Sequence, residues 1–197
     1  MKNPFLLLSM FAALFLCGCD SCEVVKVVNG KLKFSDGKKT DIPHWNEEGW
    51  THFFFVRHAE KENTGGDAAV LTPAGEARAR RLGKIMELAD LDLVFATDIY
   101  RTQQTANLMR EGAITIPAWN QYSRDDIAET QFLQTQLSAS RGKRIFVVGH
   151  SDSVPRMINK LMGPGTTLTT LDENNFSAFF VVASRGLGDS QYLWKSY

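Results

Sequence analysis

The chain has 197 residues, 44% of them hydrophobic, enough for one well-buried core of ordinary domain size once a leader is set aside. Lys plus Arg and Asp plus Glu number 22 each, so no bulk field favours nucleic acid or an anionic membrane surface, and any positive potential has to be local. All three cysteines fall between Cys17 and Cys22, which excludes a disulfide framework for the rest of the chain.

Lys2 precedes an apolar run from Pro4 to Leu16 that is too short to span a bilayer comfortably and fits the h-region of a signal peptide over residues 1–18. The run closes in Leu16-Cys17-Gly18-Cys19, which resembles a bacterial lipobox with Cys19 as the lipidated first residue of the mature chain. The expectation is a membrane-anchored lipoprotein of the cell envelope facing the periplasm or the exterior, each buried methylene contributing about 0.8 kcal/mol. A cleaved signal with a freely soluble product is the alternative. Asp20 resembles an inner-membrane retention signal of some enteric bacteria, a rule that depends on the organism, so inner and outer membrane both stay open. Cys22, three residues past the anchor, is not a candidate nucleophile.

Residues 19–50 read as a tether with a possible β-ribbon. Val24 to Val28 and Lys31 to Phe34 are separated by Asn29-Gly30 and followed by Asp36-Gly37, pairs that tolerate positive φ and mark hairpin turns. Trp45 and Trp50 read as a lid on the core edge. From residue 51 to 197 the pattern alternates. Thr51 to Val56 reads as a strand, then a helix to about Leu88 with Thr72 as N-cap and Pro73 at its first position. Strands over Leu91 to Ala96 and Ile114 to Pro117 flank a helix over Tyr100 to Arg110. A helix over Asp125 to Ser138, a strand over Arg144 to Gly149 and a helix over Val154 to Met162 follow, and strands over Ser177 to Val182 and Gln191 to Trp194 end the chain. Such alternation predicts a three-layer α/β/α sandwich with a largely parallel central sheet, in which ligands bind beyond the carboxyl ends of the strands.

Chemistry-bearing residues fall at those ends. Phe53-Phe54-Phe55-Val56 runs into Arg57-His58, Ile145-Phe146-Val147-Val148-Gly149 runs into His150, and Arg101 follows Ala96-Thr97. Two arginines can hold a dianionic phosphoryl group through charge-assisted forks and keep a neighbouring imidazole neutral, so that its lone pair can attack phosphorus. Adjacent strand residues point to opposite faces, so Arg57 and His58 can share one phosphate only if the chain leaves β geometry there; backbone strain is expected next to Ala59.

These segments resemble the histidine phosphatase superfamily, the phosphoglycerate-mutase-like group. Arg57-His58-Ala59 matches its Arg-His-Gly motif with alanine in the glycine place, and Leu71-Thr72-Pro73-Ala74-Gly75, Ala96-Thr97 through Arg101-Thr102 with Thr105, and Val148-Gly149-His150-Ser151 supply three further matches. The resemblance implies that His58 is phosphorylated and then freed by water, that Arg57, Arg101 and His150 bind the phosphate, and that no cofactor or metal takes part. His58, Glu60, His150 and Asp152 fit no common zinc spacing.

The proton donor for the leaving group is the weakest match. Asp125 and Asp126 lie where the family often carries its acid, Glu60 and Asp152 compete, and a helix cap is the other reading of the Asp pair. Thr102 and Thr105 read as packing or bonding within their helix. Lys61 to Val70 and Trp119 to Thr130 are expected to border the pocket, with Lys61 and Arg124 available to a second anionic group.

The leading expectation is an exported phosphatase acting on a phosphorylated small molecule, sugar or envelope glycan, with the membrane as partner through its anchor and no nucleic acid. A protein phosphohistidine phosphatase and a non-catalytic phosphate-binding module are the alternatives.

Overall fold

A computed structural model describes residues 22–197; the signal segment, Cys19 and Asp20 lie outside the described residues. The core is a six-stranded mixed sheet, order β6-β5-β7-β4-β8-β9. Strands β4 (Thr51–Arg57), β5 (Leu93–Thr97), β6 (Trp119–Tyr122) and β7 (Arg144–Gly149) run parallel, and β8 (Ala178–Gly186) and β9 (Asp189–Ser196) extend the sheet antiparallel.

The alternation within β4 decides the layers. Phe54 and Val56 face helices α1 (Pro73–Met86) and α2 (Tyr100–Gly112), joining Leu82, Ile85 and Met109 in one buried cluster. Phe53 and Phe55 face α3 (Asp126–Ala139) and α4 (Ser153–Met162), joining Leu133, Met157 and Leu161 in the other. A strand buried on both sides in this way reads as an unbroken apolar run. Thr72 caps α1 by accepting from the Gly75 N–H at 3.1 Å, and Pro73 follows at the first position.

Two expectations change. The strand expected over Ile114 to Pro117 forms instead over Trp119–Tyr122, pairing with β5. Pro117 has no N–H for a ladder, and Ile114 is 91% exposed. Over residues 22–50 the possible β-ribbon of the sequence reading forms, and it is packed into the core rather than serving as a free tether. Strands β1 (Val24–Val28), β2 (Lys31–Phe34) and β3 (Lys39–Asp41) form an antiparallel sheet whose Val24, Val27, Leu32 and Phe34 share the cluster under α1. Asn29 and Gly30 take the positive φ of a two-residue hairpin turn, and Arg81 of α1 forms an ion pair with Glu23. Cys22 packs partly against the same cluster and its thiol hydrogen-bonds with Asp36. Trp45 and Trp50 sit at this edge, under the guanidiniums of Arg144 and Arg185. Among the described residues, no helix is long and apolar enough to cross a membrane.

Helices α1 and α2 lie on one face and α3 and α4 on the other, so the chain reverses its winding between β5 and β7. A crevice therefore opens beyond the carboxyl ends of β4, β5 and β7.

Candidate active site

Four side chains converge there, each nearly excluded from solvent: His58 and His150 are 2% exposed, Arg57 3% and Arg101 7%. The backbone carries β pairing one residue past β4, the His58 N–H donating to Gly149 O at 2.9 Å. Arg57 ends the strand and His58 follows it, the His58 ring 5.5 Å from that of His150 between centroids and 6.0 Å from that of Phe176, which also lies under Arg57. Positive φ outside glycine occurs at Asn29, His44 and Asp90 and not at residues 57–60, so the expected strain is absent. Ala59 fits without it, its Cβ filling a small cluster with Leu71, Ala79 and Leu108. Behind it the chain is pressed against α1, since a Cβ on Gly75 would meet Glu60 O at 2.2 Å.

The His58 Nδ1–H donates to Ala59 O at 2.8 Å, which fixes the tautomer with a lone pair on Nε2. Burial is the largest cause holding the His58 pKa at about 3, against the bond to Ala59, which raises it; Arg57, Arg101 and Lys61 lower it further. Burial likewise brings His150 to about 2, with Arg124, His58 and Arg101 adding. Desolvation thus outweighs the arginine charges that the sequence pointed to, and both rings are neutral at pH 7.

The clamp is held by its surroundings. Arg57 donates to the carbonyls of Asp172 at 3.0 Å and Glu173 at 2.8 Å, and its guanidinium lies 4.2 Å over Phe176. Arg101 Nη2 stands 3.5 Å from His150 Nδ1, and the Nε of both arginines is buried with no protein partner. Behind His150, its Nε2 meets Thr97 Oγ1 at 3.0 Å, which meets Thr102 Oγ1 at 2.7 Å. Thr102 donates to Ile99 O at 2.7 Å, so Thr97 donates to Thr102 and accepts from the His150 Nε2–H, which leaves His150 Nδ1 to accept from Arg101 Nη2. Thr105 donates to Arg101 O within α2 as expected, but it also accepts from the Ala59 N–H at 3.1 Å, joining the nucleophile segment to the helix that carries Arg101. Thr97 and Thr102 lie inside the matched segment Ala96-Thr97 through Arg101-Thr102, but their contact with His150 comes only from the fold, and the Asp172–Phe176 loop has no motif in the sequence that marks it.

Every candidate acid is engaged elsewhere. Asp125 is the N-cap of α3, accepting from the Ala128 N–H at 2.8 Å, a bond that lowers its pKa. Asp126 pairs with Lys160 at 2.8 Å, which lowers its pKa. Both Glu60 oxygens take the Arg78 Nε, at 2.8 and 2.9 Å. Burial pushes Asp152 up, but the bond from Arg124 Nη2 at 3.0 Å prevails and its pKa is lowered. Arg124 is thereby committed as well. Asp125→Ala is expected to remove the cap and lower Tm by about 2–4 °C while kcat on an alkyl phosphate stays within about twofold; a loss of turnover without loss of Tm would return Asp125 to the reaction.

The two depressed histidines also set a stability profile. A histidine whose folded pKa lies below the unfolded value of about 6.5 resists protonation in the folded state, so its contribution is complete above pH 6.5 and is lost as pH falls toward 3. Buried His52 acts with the same sign. Urea midpoints should therefore begin to fall below pH 6.5, ahead of the carboxylate range, and less so in His58→Gln; a midpoint flat down to pH 5 would contradict this.

Residues 53–132 match the family model of the histidine phosphatase superfamily (branch 1). No curated protein matches the sequence. Among solved structures, the protein histidine phosphatase SixA complexed with tungstate is similar at TM-score 0.60 and 17% identity, covering 74% of this chain and 96% of that one. Phosphoserine phosphatase of Entamoeba histolytica in complex with 3-phosphoglyceric acid is similar at TM-score 0.54 and 14% identity, over 75% and 98%. Mycobacterial glucosyl-3-phosphoglycerate phosphatase is similar at TM-score 0.54 and 8% identity, again over 75% and 98%.

Proposed function

We propose that the chain, whose residues 53–132 match the histidine phosphatase superfamily model and whose fold is shared with solved phosphatases, is a hydrolase of phosphate monoesters that works through a phosphohistidine on His58, in the cell envelope, anchored by lipid on Cys19. The observation that carries the reading is the imidazole itself: neutral at pH 7, held by Ala59 O, with its free Nε2 in the crevice where Arg57, Arg101 and His150 converge. In the first step the Nε2 lone pair forms the N–P bond as the ester P–O bond breaks. The two guanidiniums balance charge on the equatorial oxygens, the departing oxygen takes its proton from solvent, and water then cleaves the N–P bond to release phosphate and free His58. Acid-labile phosphoryl label on the protein after brief incubation with an aryl phosphate tests this directly, and a turning-over enzyme with no such label would remove it. Exposure of the natural substrate to the envelope favours a phosphorylated small molecule, sugar or glycan.

A second reading, a protein phosphohistidine phosphatase, draws on one observation: Asp125, Asp126, Glu60 and Asp152 are each held by a cap or an arginine or lysine. A leaving group that departs readily needs no positioned acid. Rates that fall steeply across aryl phosphates as the leaving-group pKa rises would favour this reading, and a flat series would favour the ester.

A further inference from the structure

We propose that Asp67 and Glu173 form an anionic rim that selects phosphorylated substrates whose leaving group is cationic over those whose leaving group is anionic. The proposal rests on the phosphatase reading of the same site. Each carboxylate reaches from solvent to one of the buried arginines. Glu173, with its side chain 82% exposed, places Oε2 3.3 Å from Arg57 Nη2, and Asp67, 78% exposed, places Oδ1 3.6 Å from Arg101 Nη1. They come from two separate segments of the chain. Asp67 stands in the short 3-10 turn Gly66–Ala68, whose Gly66 carbonyl also accepts from Arg101 at 3.4 Å, and Glu173 stands in the loop that holds Arg57 through its backbone.

A phosphoryl dianion entering the clamp matches the charge of both guanidiniums. The two carboxylates then lose their partners and remain at the mouth as uncompensated negative charge, next to Asp172, which also acts on Arg57. The cations nearby do not cancel them. Arg124, expected from the sequence to receive a second anionic group, is tied to Asp152, which leaves Lys61, whose charge reaches His58. Whatever the phosphoryl group is attached to has to leave between the two acidic loops. An ammonium there is attracted and a carboxylate repelled, by an amount that falls with salt because the rim is exposed. Amino-alcohol and amino-sugar phosphates carry such a charge; phosphorylated carboxylic acids carry the opposite one.

The test uses three aryl phosphates with similar leaving phenols: 4-methylphenyl phosphate, its trimethylammoniomethyl analogue and its carboxymethyl analogue. In the wild-type protein, kcat/KM for the cationic ester is expected to exceed that for the anionic ester by about fivefold or more at low ionic strength, and the ratio should shrink toward one in Asp67→Asn/Glu173→Gln and at high salt. A wild-type ratio of one or below, or a ratio unchanged in the double variant, would overturn the rim. Affinities of the two charged esters for His58→Ala, measured by calorimetry, read the same preference without turnover. A wild-type ratio of one with turnover intact therefore sinks this proposal alone, whereas turnover that persists in His58→Ala sinks the phosphohistidine reading alone.

Discussion

Replacing His58 with alanine is expected to lower kcat/KM on an aryl phosphate by on the order of 10⁴-fold or more and to abolish the acid-labile label, because on the proposed reading the variant removes the imidazole nitrogen that forms the N–P bond. Water cannot stand in for it without a positioned general base, and the four carboxylates expected from the sequence as proton carriers, Glu60, Asp125, Asp126 and Asp152, are bound by Arg78, the α3 cap, Lys160 and Arg124. The arginine clamp survives the change, since Arg57 is held by Asp172 O, Glu173 O and Phe176, none of which touches the imidazole position through a hydrogen bond. Inorganic phosphate should therefore still bind to the variant. Binding without turnover would identify chemistry, and not folding, as what was lost. A variant that keeps a tenth or more of its turnover would require another nucleophile, and the reaction would have to be reassigned.

The sheet and the chemistry at its ends were legible because both are local in the chain. Phe53-Phe54-Phe55-Val56 announces a strand buried on two faces, and the histidines follow two such runs immediately, so alternation alone brings Arg57, His58 and His150 to one edge. Thr72-Pro73 states the start of α1 in two residues. What stayed hidden depends on distant partners. Arg57 is positioned by residues 115 and 116 places further along, in a loop with no periodic pattern. Thr97 and Thr102 acquire their role only when β7 lays His150 beside β5. The displaced sixth strand has the opposite cause: Ile114-Thr115-Ile116 is β-prone by composition, yet the proline that follows removes a ladder donor, and pairing begins at Trp119. Charge was misjudged for a physical reason too. Burial, invisible in a sequence, neutralises His58 more than its arginines do.

That ordering of causes shapes the second large effect. Arg101→Ala is expected to reduce kcat/KM by about 10²–10³-fold, mostly in kcat, with Arg101→Lys recovering little of it. Arg101 stands in the first turn of α2, 3.5 Å from His150, at the mouth of the crevice and with its Nε unpartnered. A guanidinium there offers two parallel donors to oxygens whose charge grows as the phosphoryl group transfers, a match that an ammonium on a shorter stem cannot repeat. Loss of the cation also lifts the His58 pKa, since Arg101 is one of the charges that lower it. If those charges were the main cause, the variant would lose activity by protonating its nucleophile, and raising the pH would restore it. Burial is the larger cause, so the imidazole stays neutral at pH 7 in Arg101→Ala. The deficit should then be the same at pH 7 and pH 8.5. Recovery at the higher pH would mean that Arg101 serves to keep His58 deprotonated, and that the clamp depends mainly on Arg57.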